Sequence, residues 1–336
     1  MSYFPRAALL LCYCAALALS GCSKDSEALH FFNRLMMGTL VELTLRGPGD
    51  KASATAEAVF REFKRIEDLT SFHKDSALSR VNDSAGKGSI APGPELFALL
   101  VESLRLARET GGTFDPTIGP VCRLWQFSGG EPRVPEPSEI AEAVRLVGWH
   151  RVRINHETGT LELPEAGMSF DLGGISKGYA LARAADLIRK SGLVGGLVNA
   201  GGDVAVIGEK APGQPWKIGV QAPRNEKGIV AVATLKDTCI FTSGDYERVL
   251  FKDGKRYHHI LIPETGYPAT ACQSVTIVAQ DAVLADALAK AVFIMGPEKG
   301  ITFLESFPDV RALVIDAEGK THGTAQYQSL FELVSR

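Results

Sequence analysis

Seven short segments carry the residues most capable of chemistry, and in each a polar side chain sits among small ones. They are residues 36–39 (MMGT), 111–120 (GGTFDPTIGP), 171–179 (DLGGISKGY), 199–203 (NAGGD), 242–246 (TSGDY), 258–268 (HHILIPETGYP) and 285–290 (ADALAK). Glycine lets a backbone approach a ligand closely and take dihedrals closed to other residues. Free N–H groups at a helix start suit a phosphate. Segment 171–179 offers both, with Lys177 in the first helical turn to add positive charge. An acidic residue there and another on a distant helix could hold one Mg2+ and leave positions for phosphate oxygens. Asp286 is such a helix residue. Its neighbours Ala285, Ala287, Leu288 and Ala289 describe packed surroundings in which a carboxylate needs a partner. Taken singly the segments say little: Gly-Gly-Asp is more often a turn than a site, and an isolated His259 reads first as a core or rim histidine.

Other chemistries are unsupported. The chain has no GxGxxG after a strand, no GxxxxGK[ST], no HExxH and no GxSxG. Its formal net charge of -3 and its lack of basic blocks argue against nucleic acid as a partner. Of six cysteines, Cys122, Cys239 and Cys272 remain once the N-terminal three are set aside. No CxxC pair joins them, so they read as small buried hydrophobes rather than a zinc site.

The elements that must position these groups follow from periodicity. Alternation over residues 31–46 predicts a strand. Apolar spacing predicts helices over 51–68, 94–110, 137–146, 175–191, 282–295 and 297–306. A hairpin-like pair is expected at 151–154 and 160–163, and further strands near 196–199, 204–207, 216–221, 230–235, 274–279 and 310–316. Helices and strands alternate without a βαβ rhythm, which predicts an α+β body rather than a doubly wound sheet.

The first residues differ in kind. Arg6 precedes an apolar run over 7–19 that is short for a membrane span and right for a signal-peptide core. The run ends in Leu19-Ser20-Gly21-Cys22, a lipobox-like sequence. The expected organisation is a signal peptide over 1–21, a lipidated Cys22 with a tether over 22–30, and a catalytic domain over 31–336. Acyl chains on Cys22 would anchor the protein to a membrane, facing the periplasm or cell exterior.

From about Phe32 to Gly296 the ordered segments, with SFHKDSALSRVN, LWQF, TSGDYER and GPEKG between or beyond them, resemble the ApbE family of FAD:protein FMN transferases. The resemblance implies an α+β, mixed-sheet fold with the flavin site between two lobes. It implies FAD as bound substrate, Mg2+ as cofactor, and transfer of FMN to a Thr or Ser hydroxyl of an acceptor protein with release of AMP. Such an acceptor would be, for example, a membrane redox-complex subunit. The metal would lie on Asp286 and the Gly174 carbonyl. Flavin contacts would fall to Met37, Phe72, Thr113, Phe114, Asp115, Asp171, Lys177 and the backbone near Leu261, and His259 would act as base. Members commonly carry threonine where this chain has Lys290. An ammonium repels Mg2+, so Lys290 is expected to point away or to reach the pyrophosphate rather than to ligate. Ile262-Pro263 stands where members usually have Asp-Pro. The alternatives are an FAD pyrophosphatase giving FMN and AMP, and a non-enzymatic flavin-binding lipoprotein.

Overall fold

The computed structural model describes residues 27–125, 127 and 133–334. The signal peptide and Cys22 lie outside them. The chain opens with a hairpin, β1 (Leu29–Met36) and β2 (Thr39–Arg46), rather than the single strand expected over 31–46. Its two turn residues, Met37 and Gly38, have φ of 51° and 72°. A two-residue hairpin loop needs positive φ at both positions to match strand twist, and methionine rarely advertises it. Helix α1 (Gly49–Thr70) buries Ala52, Ala56, Val59, Phe63 and Ile66 along one face.

Next come α2 (Ala77–Asp83), started by a reciprocal Ser76–Ser79 cap, α3 (Pro94–Glu109), α4 (Gly119–Leu124) and α5 (Pro137–Val144). The expected hairpin follows as β3 (Arg153–Asn155) and β4 (Thr160–Glu162). Helix α6 (Ser176–Lys190) leads to β5 (Gly195–Ala200) and β6 (Asp203–Gly208), then β7 (Trp216–Ala222) and β8 (Asn225–Leu235). After β9 (Thr238–Gly244), β10 (Val249–Lys252) and β11 (Lys255–His258) come β12 (Cys272–Ala279), α7 (Ala282–Met295) and α8 (Pro297–Leu304). The chain closes with β13 (Arg311–Asp316), β14 (Thr321–Gly323) and β15 (Phe331–Leu333).

Eight strands form the main sheet in the order β1-β2-β5-β6-β9-β12-β13-β14. Every pairing is antiparallel, so the mixture is of helices with strands rather than of strand directions. One face packs on α1, α6 and α7 through Val41, Leu43, Val198, Phe241 and Val275. The other packs on the small sheet β15-β8-β7 through Val204, Val206, Trp216 and Phe331. A second core, built on Leu78, Leu100, Leu104 and Phe170, joins α2 and α3 to the loop before α6.

Helix α7 is shared by both large cores. Ala285, Leu288, Ala289, Val292 and Phe293 belong to the first and Ala287 and Ala291 to the second. A helix apolar all round is one buried all round, and Asp286 sits in its middle with no exposed surface. Cys122, Cys239 and Cys272 are free thiols, the last two buried. No helix among the described residues is long and apolar enough to cross a membrane.

Candidate functional site

The site begins where α6 and α7 meet. A Cβ on Gly178 would stand 2.4 Å from the Ala282 carbonyl oxygen and 2.9 Å from the Asp286 Cβ. Only glycine allows that approach, and it delivers the Gly178 N–H to Asp286 Oδ2 at 2.8 Å. Replacing Gly178 with alanine is expected to force the helices apart and cost about 1–3 kcal/mol of stability, read as a lower urea midpoint. An unchanged midpoint would contradict the contact.

The other oxygen of that carboxylate, Oδ1, receives the Lys290 ammonium from one turn further along α7. Burial raises the Asp286 pKa, and the Lys290 and Lys177 charges act against that rise. Lys177 pairs with Asp203 Oδ2. Burial disfavours the Lys177 ammonium, but Asp203 and Asp286 together hold its pKa above the ordinary lysine value. Asp203 is itself buried. It opens β6 directly after the Gly201-Gly202 hairpin turn, and its Oδ1 accepts the Thr242 N–H at 3.1 Å. The NAGGD and TSGDY segments are thereby joined by one hydrogen bond. The MGT segment meets the same turn, because a Cβ on Gly201 would stand 2.1 Å from the Thr39 hydroxyl oxygen.

The histidine pair divides into two roles. His258 Nε2 faces the Ala269 carbonyl at 2.7 Å and its Nδ1 accepts the Ile260 N–H at 3.3 Å. Both nitrogens are thus engaged within the fold. His259 differs: its Nδ1 is buried with no hydrogen-bond partner. Burial first, then the charges of Arg248, His258, Lys290 and Lys177, push its pKa down to about 3. Arg248 lies beside the hairpin tip, its guanidinium 3.6 Å from where a Gly38 Cβ would be. Among the described residues it has no carboxylate partner. The parts played by Arg248, Asp203 and Gly178 are not evident from sequence. Arg248 stands in a loop, Asp203 has the setting of a turn residue, and Gly178 is one glycine among many.

The remaining expected residues form an adjoining wall. The Phe114 ring packs against Gly174, whose added Cβ would fall 2.8 Å from it. The Asp115 carboxylate is occupied: Oδ1 accepts from the Thr117 N–H at 2.8 Å and the Thr117 hydroxyl at 2.6 Å, and Oδ2 from the Trp149 N–H at 3.1 Å. Asp115 therefore shapes the loop that presents Thr113 and Phe114. Phe72 touches the Gly119 region, carries the Arg123 guanidinium 4.9 Å above its ring and borders a cavity of about 360 Å3. Asp171 caps the Gly173 N–H at 2.7 Å, and its own N–H binds the Pro116 carbonyl at 2.8 Å. Leu261 is buried against Val121, Trp125 and Ile140. Met37 is half-buried at the β1–β2 tip, packed on the first core.

Mg2+ tests poorly against these groups. Among the described residues no three His, Cys, Asp or Glu side chains converge, so an ion here would rest on one carboxylate, a carbonyl and phosphate oxygens. Both Asp286 oxygens are engaged, one by an N–H and one by an ammonium. Asp203 and Asp286 are matched in charge by Lys177 and Lys290. A dication at Asp286 would have to displace the Lys290 ammonium from Oδ1, because the two cations compete for one oxygen. The residues as arranged do not fit a divalent ion at Asp286.

The chain is similar to known proteins over most of its length. Residues 37–314 match the model of the ApbE family. The FAD:protein FMN transferase of Treponema pallidum (strain Nichols) is 34% identical over 309 residues, covering 87% of this chain and 85% of its own. The FAD:protein FMN transferase of Vibrio cholerae is 31% identical, covering 88% and 90%. Among solved structures, the ApbE protein of Thermotoga maritima superposes with a TM-score of 0.84 at 35% identity, over 90% of this chain and 99% of that one. The flavin transferase ApbE of Vibrio cholerae superposes with a TM-score of 0.81 at 26% identity, over 90% and 99%.

Proposed function

The chain belongs to the ApbE family and is a flavin transferase; on that premise we propose that it moves the FMN half of FAD onto a threonine or serine hydroxyl of an acceptor protein. The observation that carries this reading is a pair of buried carboxylates, Asp203 and Asp286, that hold Lys177 and Lys290, whose charges act with that of Arg248 on the unpartnered His259. Such a cluster suits a diphosphate bridge, which is dianionic and needs both charge and donors.

The chemistry follows from that placement. The acceptor hydroxyl attacks the phosphorus on the FMN side of the pyrophosphate. The P–O bond to the AMP half breaks, AMP departs, and FMN stays on the acceptor as a phosphoester. His259 takes the hydroxyl proton. Its Nδ1 is sealed off, so Nε2 is the nitrogen that exchanges the proton. Lys177, Lys290 and Arg248 meet the charge that grows on the phosphoryl and leaving oxygens. Positioning and electrostatic stabilisation supply most of the rate in phosphoryl transfer. The Mg2+ that the family resemblance implies would act as Lewis acid, but no step here runs through it. Met37, Phe72, Thr113, Phe114, Asp171 and the backbone near Leu261 are assigned to flavin contact. Incubating the full chain with FAD and the apo form of a redox-complex subunit that normally carries covalent FMN tests the reading. Covalent flavin fluorescence on a denaturing gel is the expected result. Its absence with AMP accumulating would mean hydrolysis by water.

A pH dependence follows from His259. Its folded pKa lies near about 3, below the usual histidine value of about 6.5. In the free enzyme the ring is therefore neutral, and able to accept a proton, throughout the neutral range. The profile of kcat/KM for FAD should show no acid limb centred near about pH 6.5. A limb centred there would mean that His259 keeps an ordinary pKa.

Cys22 is assigned as the lipid-bearing N-terminus, holding the enzyme on a membrane where it faces the periplasm or cell exterior. Fatty-acid labelling lost in Cys22→Ala is the expected result, and retained labelling would refute it.

A further inference from the structure

We infer that the Lys290 ammonium takes, from within the chain, the place of a divalent cation at Asp286, so that FAD is bound without added metal. The inference rests on the flavin reading above. Three observations converge on it. Lys290 is half-buried on a helix whose neighbouring residues Ala287, Ala289, Ala291 and Val292 are all buried, so its ammonium is held beside a buried carboxylate rather than in bulk water. Its ammonium is fixed on Asp286 Oδ1, while the Gly178 N–H holds Oδ2, so the carboxylate has one cation and one donor already in place. The same ammonium acts electrostatically on the His259 ring.

The stoichiometry of donors agrees. An ammonium has three N–H groups. Asp286 takes one and leaves two free for phosphoryl oxygens. Asp203 performs the parallel service for Lys177. Two buried carboxylates thus hold two ammoniums still, and their remaining N–H groups are the donors offered to the dianionic bridge. Arg248, without a carboxylate partner among the described residues, adds a third positive group at the hairpin tip.

The test is the FAD dissociation constant of the full chain, read by flavin fluorescence in excess EDTA and again in excess Mg2+. For the wild-type protein the two values should agree within about twofold. In Lys290→Thr, which removes the charge and offers a hydroxyl oxygen, affinity in EDTA should fall by about tenfold or more and return on adding Mg2+. A calorimetric titration of Mg2+ into the ligand-free wild-type protein needs no variant and should show no saturable heat. Wild-type binding that collapses in EDTA and recovers with Mg2+ would overturn the inference while leaving the flavin transferase reading intact. So would a Lys290→Thr protein that binds FAD like the wild type in EDTA, or a saturable Mg2+ heat. Binding of FAD in neither condition would remove the flavin reading itself and this inference with it.

Discussion

Replacing His259 with alanine is expected to slow transfer by about 10²–10⁴-fold, the range for loss of a positioned general base. FAD affinity should change little, because the pyrophosphate is held by Lys177, Lys290 and Arg248 rather than by a neutral imidazole. Stability should also change little. The lost ring contacts are offset by removing a buried Nδ1 that has no partner, a burden of about 1–3 kcal/mol. Single-turnover transfer, flavin binding and urea unfolding of the same variant separate the three quantities. A variant that transfers normally removes His259 from the chemistry. One that transfers slowly and also unfolds far more easily would make its role structural.

The other large effect is at Asp286. In Asp286→Ala the Gly178 N–H loses its acceptor and the half-buried Lys290 ammonium loses its carboxylate, at a position where Asp286 itself has no exposed surface. Breaking a buried pair from one side costs about 3–5 kcal/mol, because the surviving charge is left uncompensated. Transfer should fall by more than about hundredfold, since an untethered ammonium no longer stands at a fixed place by the phosphate. Urea unfolding and transfer assays check both. Asp286→Asn keeps the shape and an oxygen for Gly178 but not the charge, so it should recover part of the stability and little of the rate. If Asp286→Ala is as stable and as active as the wild type, the carboxylate is neither anchor nor orienter.

How far the sequence foretells this arrangement varies with the range of the interaction that decides each part. Helix α7 is readable to its ends, because an apolar run from Ala282 to Met295 stops at Gly296. That Asp286 needs a partner is readable too, from its apolar neighbours. The partner's identity is half-readable: Lys290 lies at i+4 on the same face, but the Gly178 N–H arrives from a helix more than a hundred residues earlier. The β1–β2 turn is hidden because Met37 has no habit of positive φ. Helix α2 is announced by Ser76 and Ser79 but is too short for periodicity to register. Asp203 and Asp115 show the same limit from two sides. As sequence, one is a turn and the other a flavin contact. In the fold, Asp203 anchors Lys177, and Asp115 is spent on Thr117 and Trp149. Adjacent histidines are indistinguishable as letters. Only the Ala269 carbonyl and the Ile260 N–H separate the structural His258 from the unpartnered His259.

On the proposed function, a cation-lined seam beside α7 directs one half of FAD onto a protein hydroxyl. Intact-mass measurement of an apo acceptor after incubation with the full chain and FAD, with AMP counted in the same reaction, tests it most directly. One FMN phosphoester on the acceptor is expected for each AMP released, and neither product with Asp286→Ala or His259→Ala on the same time scale. AMP released while the acceptor mass stays unchanged, or FAD bound with no AMP at all, would contradict it.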